Sequence, residues 1–154
     1  MYEKVLVPLD GSRLAESVLP HVEKLAMSGM LGKTVLISVT ERIPGYRVVG
    51  TEPQEQMIPV AVGKMEQEAQ KYLDRIAGGL KEKNVDVETE VLLGNPAEEI
   101  AVYAETNNID LIIMASHGRT GPSRWAHGSV AERVFRAVDM PILMIKIRGA
   151  GTGA

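Results

Sequence analysis

Apolar residues fall along this chain in two alternating rhythms, short β-branched runs and longer stretches with three- and four-residue spacing. That alternation predicts parallel strands joined by helices. The first run is Val5-Leu6-Val7-Pro8-Leu9, after which Ser12 is suited to cap a helix reaching about Met27, with Gly29 and Gly32 stopping it. Pro20 lies inside that helix and has no N–H for the carbonyl of Glu16, which predicts a bend. A second strand runs from Thr34 to Thr40. From Glu41 to about Val62 the periodicity disappears among Pro44, Gly45, Gly50, Pro53 and Pro59. A loop of that length is uncommon unless it is functional or disordered.

Met65, Ala69, Tyr72, Leu73, Ile76 and Leu80 then recur at helical spacing and predict an amphipathic second helix. Val85, Val87, Thr89 and Val91 alternate with Asp86, Glu88 and Glu90, a period of two with one wet face that suits a sheet edge. Gly94-Asn95-Pro96 starts a third helix, with Pro96 near its first position and Glu98 and Glu99 in the favourable first turn. Asn107-Asn108 closes it. Leu111 to Met114 is apolar throughout and reads as a central strand. A fourth helix runs from Ser129 through Val138, and Pro141 breaks into a last strand, Ile142 to Ile147. Five strands alternating with four helices predict one domain over residues 1–148, an open doubly wound parallel sheet of order 3-2-1-4-5. The tail from Gly149 to Ala154 lacks side chains able to build a core. Ligands in such sheets bind beyond the carboxyl ends of the strands, where the strand order reverses.

Composition narrows the chemistry. The 154 residues are 45% hydrophobic and 24% charged, enough for one core without a staple. There is no cysteine, which removes disulfides, thiolate catalysis, zinc–thiolate sites and iron–sulfur clusters together and fits a cytoplasmic setting. Met1-Tyr2-Glu3-Lys4 and the short run after it lack a signal-peptide pattern. No apolar stretch approaches the ~20 residues of a membrane span. A formal net charge of −3 gives no general pull towards nucleic acid, yet a single small anion can still bind at a local site.

The stretch from Ala115 to Val130 has the ingredients of such a site. Gly118, Gly121 and Gly128 let backbone N–H groups approach a ligand without interference from a Cβ. Gly128-Ser129 opens a helix whose unpaired N–H groups and positive dipole end favour phosphate, and the Ser129 hydroxyl adds a donor. Arg119 and Arg124 supply cations, and no acidic residue lies between Ala115 and Ser129. On these features alone, a loop whose glycines merely permit turning is the better account.

The order of the motifs decides between them. Met114-Ala-Ser-His-Gly-Arg-Thr-Gly followed by Gly128-Ser129-Val130 closely resembles the universal stress protein family, whose ATP-binding branch carries Gly-x2-Gly-x9-Gly-Ser/Thr at this place. Nine residues separate Gly118 from Gly128, and Ser129 completes the pattern. Val5 to Ser12, Gly94 to Ile100 and Asp139 to Leu143 are similar to further landmarks of that family, in the same order over nearly the whole chain. Ala115 departs from the pattern at the first glycine. Its methyl is tolerable if the backbone N–H makes the contact, and straining if a positive φ is required; tolerance is the expectation.

The resemblance implies an adenine nucleotide alpha hydrolase-like fold and bound ATP, with Mg2+ or Mn2+ arriving through the phosphates. It implies that Pro8, Leu9 and Asp10 line an adenosine pocket, with the Asp10 carboxylate accepting from ribose or adenine. Val39 would add apolar and backbone contact, and Met114, Ala115, His117, Gly118, Arg119, Gly128, Ser129 and Val130 would complete the nucleotide site. Asp10 also reads as a capping residue for the helix that follows. His117 and His127 lie near the expected phosphates without a visible orienting carboxylate, and Trp125 is read as a packing residue. The apolar edge strand 142–147 invites pairing with a second copy, and the resemblance points the same way.

The leading function is a nucleotide-dependent binding module that biases a dimer or an unidentified protein partner. AMP, ADP or a cyclic nucleotide remains open as the ligand. The alternative is a slow ATPase or an autophosphorylating protein. Phosphoryl transfer needs a metal, a positioned nucleophile and charge stabilisation, and the chain has no Gly-x4-Gly-Lys-Ser/Thr loop. A phosphorylated signalling receiver is excluded: Asp10 has no acidic neighbour, and the third strand ends in Leu92-Leu93-Gly94 rather than an acceptor aspartate.

Overall fold

The computed structural model describes residues 1–41, 52–117 and 129–147, and the side chains of 1–41, 64–116 and 130–146. The elements follow in the order β1 (Tyr2–Pro8), α1 (Arg13–Glu16), α2 (Leu19–Met27), β2 (Leu31–Thr40), α3 (Glu52–Glu82), β3 (Asp86–Leu93), α4 (Pro96–Thr106), β4 (Leu111–His117), α5 (Ser129–Ala137) and β5 (Ile142–Ile147). All five strands are parallel and lie in the order β3-β2-β1-β4-β5, as the alternation predicts. The tail from 148 onwards lies outside the described residues.

Two cores sandwich the sheet because alternate strand residues face opposite sides. Val5, Val7, Leu9, Leu36, Leu111 and Ile113 pack against α1, α2 and α3 through Ala15, Val18, Val22, Leu73, Ala77 and Leu80. Leu6, Val35, Ile37, Val39, Ile112 and Met114 pack against α4 and α5 through Ala97, Ile100, Ala104, Val130 and Val134. Each fully buried branched side chain contributes about 1.5–3 kcal/mol relative to exposure. The edge strand β3 keeps Asp86 and Glu88 exposed and Val87 buried, the wet-face pattern read from its alternation. Lys33 on β2 pairs with Glu88 at 2.8 Å on that wet side. Among the described residues no helix is long and apolar enough to cross a membrane.

Three boundaries differ from the pattern. The helix expected from Ser12 to Met27 is two helices, interrupted at Ser17 and Val18, and Pro20 sits in the first turn of α2 rather than at a bend. A proline there lacks only an N–H that has no helical acceptor anyway. Gly32 belongs to β2, while Gly29 follows the end of α2 with φ +77°. Most of all, α3 begins at Glu52, inside the stretch expected to be loop, so 52–62 is helical and 42–51 lies outside the described residues. Pro53 falls in the first turn, where it is tolerated, and the residues after it include good helix formers.

Candidate functional site

Between β1 and β4 the strand order of the sheet reverses. β1 pairs with β2 from Tyr2↔Leu31 to Pro8↔Ile37, but with β4 only at Val5↔Leu111 and Leu6↔Ile112. The Leu9 amide donates to the Ile37 carbonyl at 2.8 Å, so by strand alternation the Pro8 nitrogen faces β4. Having no N–H, Pro8 cannot extend the β1–β4 ladder. The two central strands part at the point where strand order reverses, the usual place for a ligand in this architecture.

Asp10 lies just beyond this parting and is buried. Its Oδ1 accepts from the Ser12 amide at 2.9 Å and from the Ser12 hydroxyl. Ser12 in turn caps α1 by accepting from the Ala15 amide at 3.1 Å. Between them Gly11 takes φ +85°, a left-handed conformation that favours glycine. The Asp10 turn is thus fixed from both ends: by β1 on one side and by the α1 cap on the other. The capping and ligand readings of Asp10 are compatible, since it orders the residue that does the capping.

A cavity of about 270 Å³ opens beside this turn. Asp10 and Gly11 form one wall, the end of β2 from Ser38 to Glu41 the floor, and Met65, Glu68, Ala69 and Tyr72 of α3 the opposite wall. Thr40 is held by its hydroxyl donating to the Leu92 carbonyl at 3.2 Å, and its own carbonyl accepts from the Gly94 amide at 3.0 Å. The Tyr72 hydroxyl donates to Glu16 Oε2 at 2.8 Å. Burial, then that hydrogen bond and the carboxylates of Glu16 and Asp10, raise the Tyr72 hydroxyl well above its ordinary 10.0, while Arg75 pulls the other way. Tyr72 therefore stays a donor across the physiological range.

Among the described residues, the charged side chains of the cavity wall are the carboxylates Asp10, Glu41 and Glu68. Such a wall attracts hydroxyl and amino donors and repels phosphate. A larger groove of about 410 Å³ runs between α3 and the edge strand β3, lined by Glu66, Gln70, Thr89 and Glu90. It gathers none of the residues expected at the site and lies away from the strand reversal.

The expected site residues divide into three groups. Asp10 and Val39 meet at the cavity. Pro8 and Leu9 lie at the same edge, but Leu9 is fully buried in the core under α1–α3, Met114 is buried under α4 and α5, and Val130 packs from α5 into that second core. What these three can offer a ligand is main chain. Ala115 packs partly buried on the α1–α3 face, His117 is the last residue of β4, and Ser129 is the first of α5, so the backbone of β4's end and α5's start share the carboxyl edge. Gly118, Arg119, Gly121, Arg124, Trp125, His127 and Gly128 lie outside the described residues. Ser38, Thr40, Glu68 and Tyr72 were not singled out for the site by the sequence. Tyr72 and Ala69 do belong to the apolar stripe of the second helix, and Glu68 lies one helical turn before Tyr72 on the same side.

Comparison with known proteins bears on this arrangement. The model of the Universal stress protein family matches residues 1–146. Universal stress protein MJ0531 of Methanocaldococcus jannaschii is 33% identical over 146 residues, covering 95% of this chain and 83% of that protein. Universal stress protein MJ0577 of the same organism is 31% identical over 155 residues, covering 95% and 96%. The solved structure of MJ0577 superposes with a TM-score of 0.79 over 96% of this chain and 97% of that one. A universal stress protein family protein from Arabidopsis thaliana, solved with AMP bound, shares the fold at a TM-score of 0.62 and 16% identity, covering 99% and 96%.

Proposed function

The chain belongs to the universal stress protein family, and from that premise we propose that it binds an adenine nucleotide, ATP, at the carboxyl edge of its sheet. In this reading it is a nucleotide-dependent regulatory module of the stress response, working in the cytoplasm. The observation that carries it is the parting of β1 from β4 beside the Asp10 cavity, with the start of α5 on the same edge. The Arabidopsis thaliana protein was solved with AMP bound, and carrying that ligand class to this chain is part of the proposal.

The cavity suits the nucleoside and not the phosphates. Its volume of about 270 Å³ falls just below the ~300–1,000 Å³ of most small-molecule sites, so it holds part of a nucleotide. Asp10, Glu41 and Glu68 supply acceptors for ribose hydroxyls and an exocyclic amine. The phosphates then extend towards the N-terminus of α5 at Ser129, whose unpaired amides favour them. Gly118, Arg119 and Gly128 complete the phosphate end, and Ala115 contributes its backbone. Among the described residues no group of three or more His, Asp or Glu side chains could hold a metal ion. Mg2+ or Mn2+ is therefore proposed to come with the phosphates.

The test is direct. Purified protein is denatured, the released nucleotide identified by mass spectrometry, and ATP titrated calorimetrically into nucleotide-free protein. ATP binding is expected, and Ser129→Ala should weaken it about tenfold while leaving adenosine binding unchanged. No released nucleotide together with no ATP heat would overturn the reading. Phosphate release above a Gly118→Val control would favour the slow ATPase instead.

We also propose that two copies join along β5. It is an edge strand of mixed exposure, with Leu143 37% exposed and Ile142, Met144 and Ile145 only partly covered by their own chain. An apolar edge of this kind is a template for pairing.

A further inference from the structure

The walls of the cavity come from parts of the chain far apart in sequence, and α1 spans them. It is only four residues long, Arg13–Glu16. A helix so short has no stability of its own and keeps its place through what holds its ends. Its first end is fixed at Ser12, whose amide and hydroxyl both donate to Asp10. Its last residue, Glu16, accepts from the Tyr72 hydroxyl of α3 at 2.8 Å. Tyr72 lines the cavity, half-buried, with the Arg75 guanidinium 5.5 Å from its ring centroid. A hydrogen bond from a phenol to a carboxylate in such a place is among the stronger kinds.

We propose that the Tyr72–Glu16 hydrogen bond is a latch that sets the spacing between the Asp10 turn and α3, making Tyr72 and Glu16 positioning residues for the nucleoside part of the ligand. The inference rests on the nucleotide reading above. Asp10 at one end of α1 and the Tyr72 wall at the other are joined through one helical turn held at both ends. With the latch closed, Asp10 and Glu68 face the same space from opposite sides. Opening it frees α3 and α1 to move apart, and the acceptors on the two walls no longer meet one ligand together. Because the latch acts on the nucleoside end, its loss weakens adenosine and ATP equally. Removal of a phosphate contact weakens ATP alone.

The experiment titrates adenosine and ATP into the full native chain and into Tyr72→Phe, Glu16→Ala, Glu16→Gln and the Tyr72→Phe/Glu16→Ala double variant. Tyr72→Phe and Glu16→Ala should each weaken both ligands by one common factor, about three- to tenfold, the loss of a single hydrogen bond. Glu16→Gln keeps a carbonyl that accepts from the phenol and should stay within about threefold of native. The double variant should be no weaker than either single one, since both remove the same bond. Native affinity in Tyr72→Phe, additive losses in the double variant, or a loss confined to ATP would each overturn the latch. If Tyr72→Phe does not fold, the contrast between Glu16→Ala and Glu16→Gln decides the matter in the same way. A native chain that binds ATP and adenosine while Glu16→Ala is unaffected overturns the latch alone; one that binds neither ligand overturns the nucleotide reading and the latch with it.

Discussion

Gly32 occupies a point on β2 where there is no room for a side chain. A Cβ there would stand 2.5 Å from the carbonyl oxygen of Glu3, a backbone atom that cannot swing aside. Gly32→Ala should therefore force β1 and β2 apart locally and lower stability by about 1–3 kcal/mol. Urea denaturation measures it, and an unchanged midpoint would show that the strand pair relaxes at no cost. The sequence suggests Gly32 as a helix stop, because its partner Glu3 is remote along the chain and only strand pairing brings the two together. Tyr72 carries the same lesson. Its place in the apolar stripe is visible in the spacing, but the Glu16 carboxylate that receives its hydroxyl lies 56 positions away.

Elements were legible where local chemistry starts and stops them. Asn95 caps α4 by accepting from the Glu98 amide at 3.2 Å, Pro96 follows in the first turn, and Asn107 and Asn108 end the helix, Asn108 at φ +57°. Asn95→Ala should cost about 0.5–2 kcal/mol, read as a fall in the thermal midpoint. An unchanged midpoint would mean that Pro96 and the acidic first turn suffice to start the helix. Prolines misled the reading elsewhere. Pro53 suggested a loop where α3 had already begun, and Pro20 suggested a bend inside one helix where two helices meet. In both cases the proline falls in a first turn, and spacing alone does not distinguish a helix beginning at a proline from one broken by it.

At the scale of the whole molecule, strand order was inferable because the wet alternation of β3 marks an edge and the apolar run of β4 marks an interior. The right-handedness of parallel crossovers then puts α1–α3 on one face and α4 and α5 on the other. The second edge, β5, carries the prediction that belongs to this scale. The native chain should sediment as a dimer at micromolar concentration, and Leu143→Lys should shift it towards monomer by placing a charge on the apolar edge. A native monomer would remove β5 as a pairing edge.

The residues by themselves determined the alternation of strands and helices, the central and edge strands, and the caps, because each depends on neighbours close in the chain. The family resemblance, not local spacing, marked Asp10 and Val39 as candidates. Tertiary structure alone decided that the β1–β4 ladder ends below Pro8, that Leu9, Met114 and Val130 turn their side chains into the core, and that Glu68 and Tyr72 of α3 face Asp10 across a cavity. Those facts arise from packing between segments distant in sequence, and no local spacing records which face of a helix will close over a strand end.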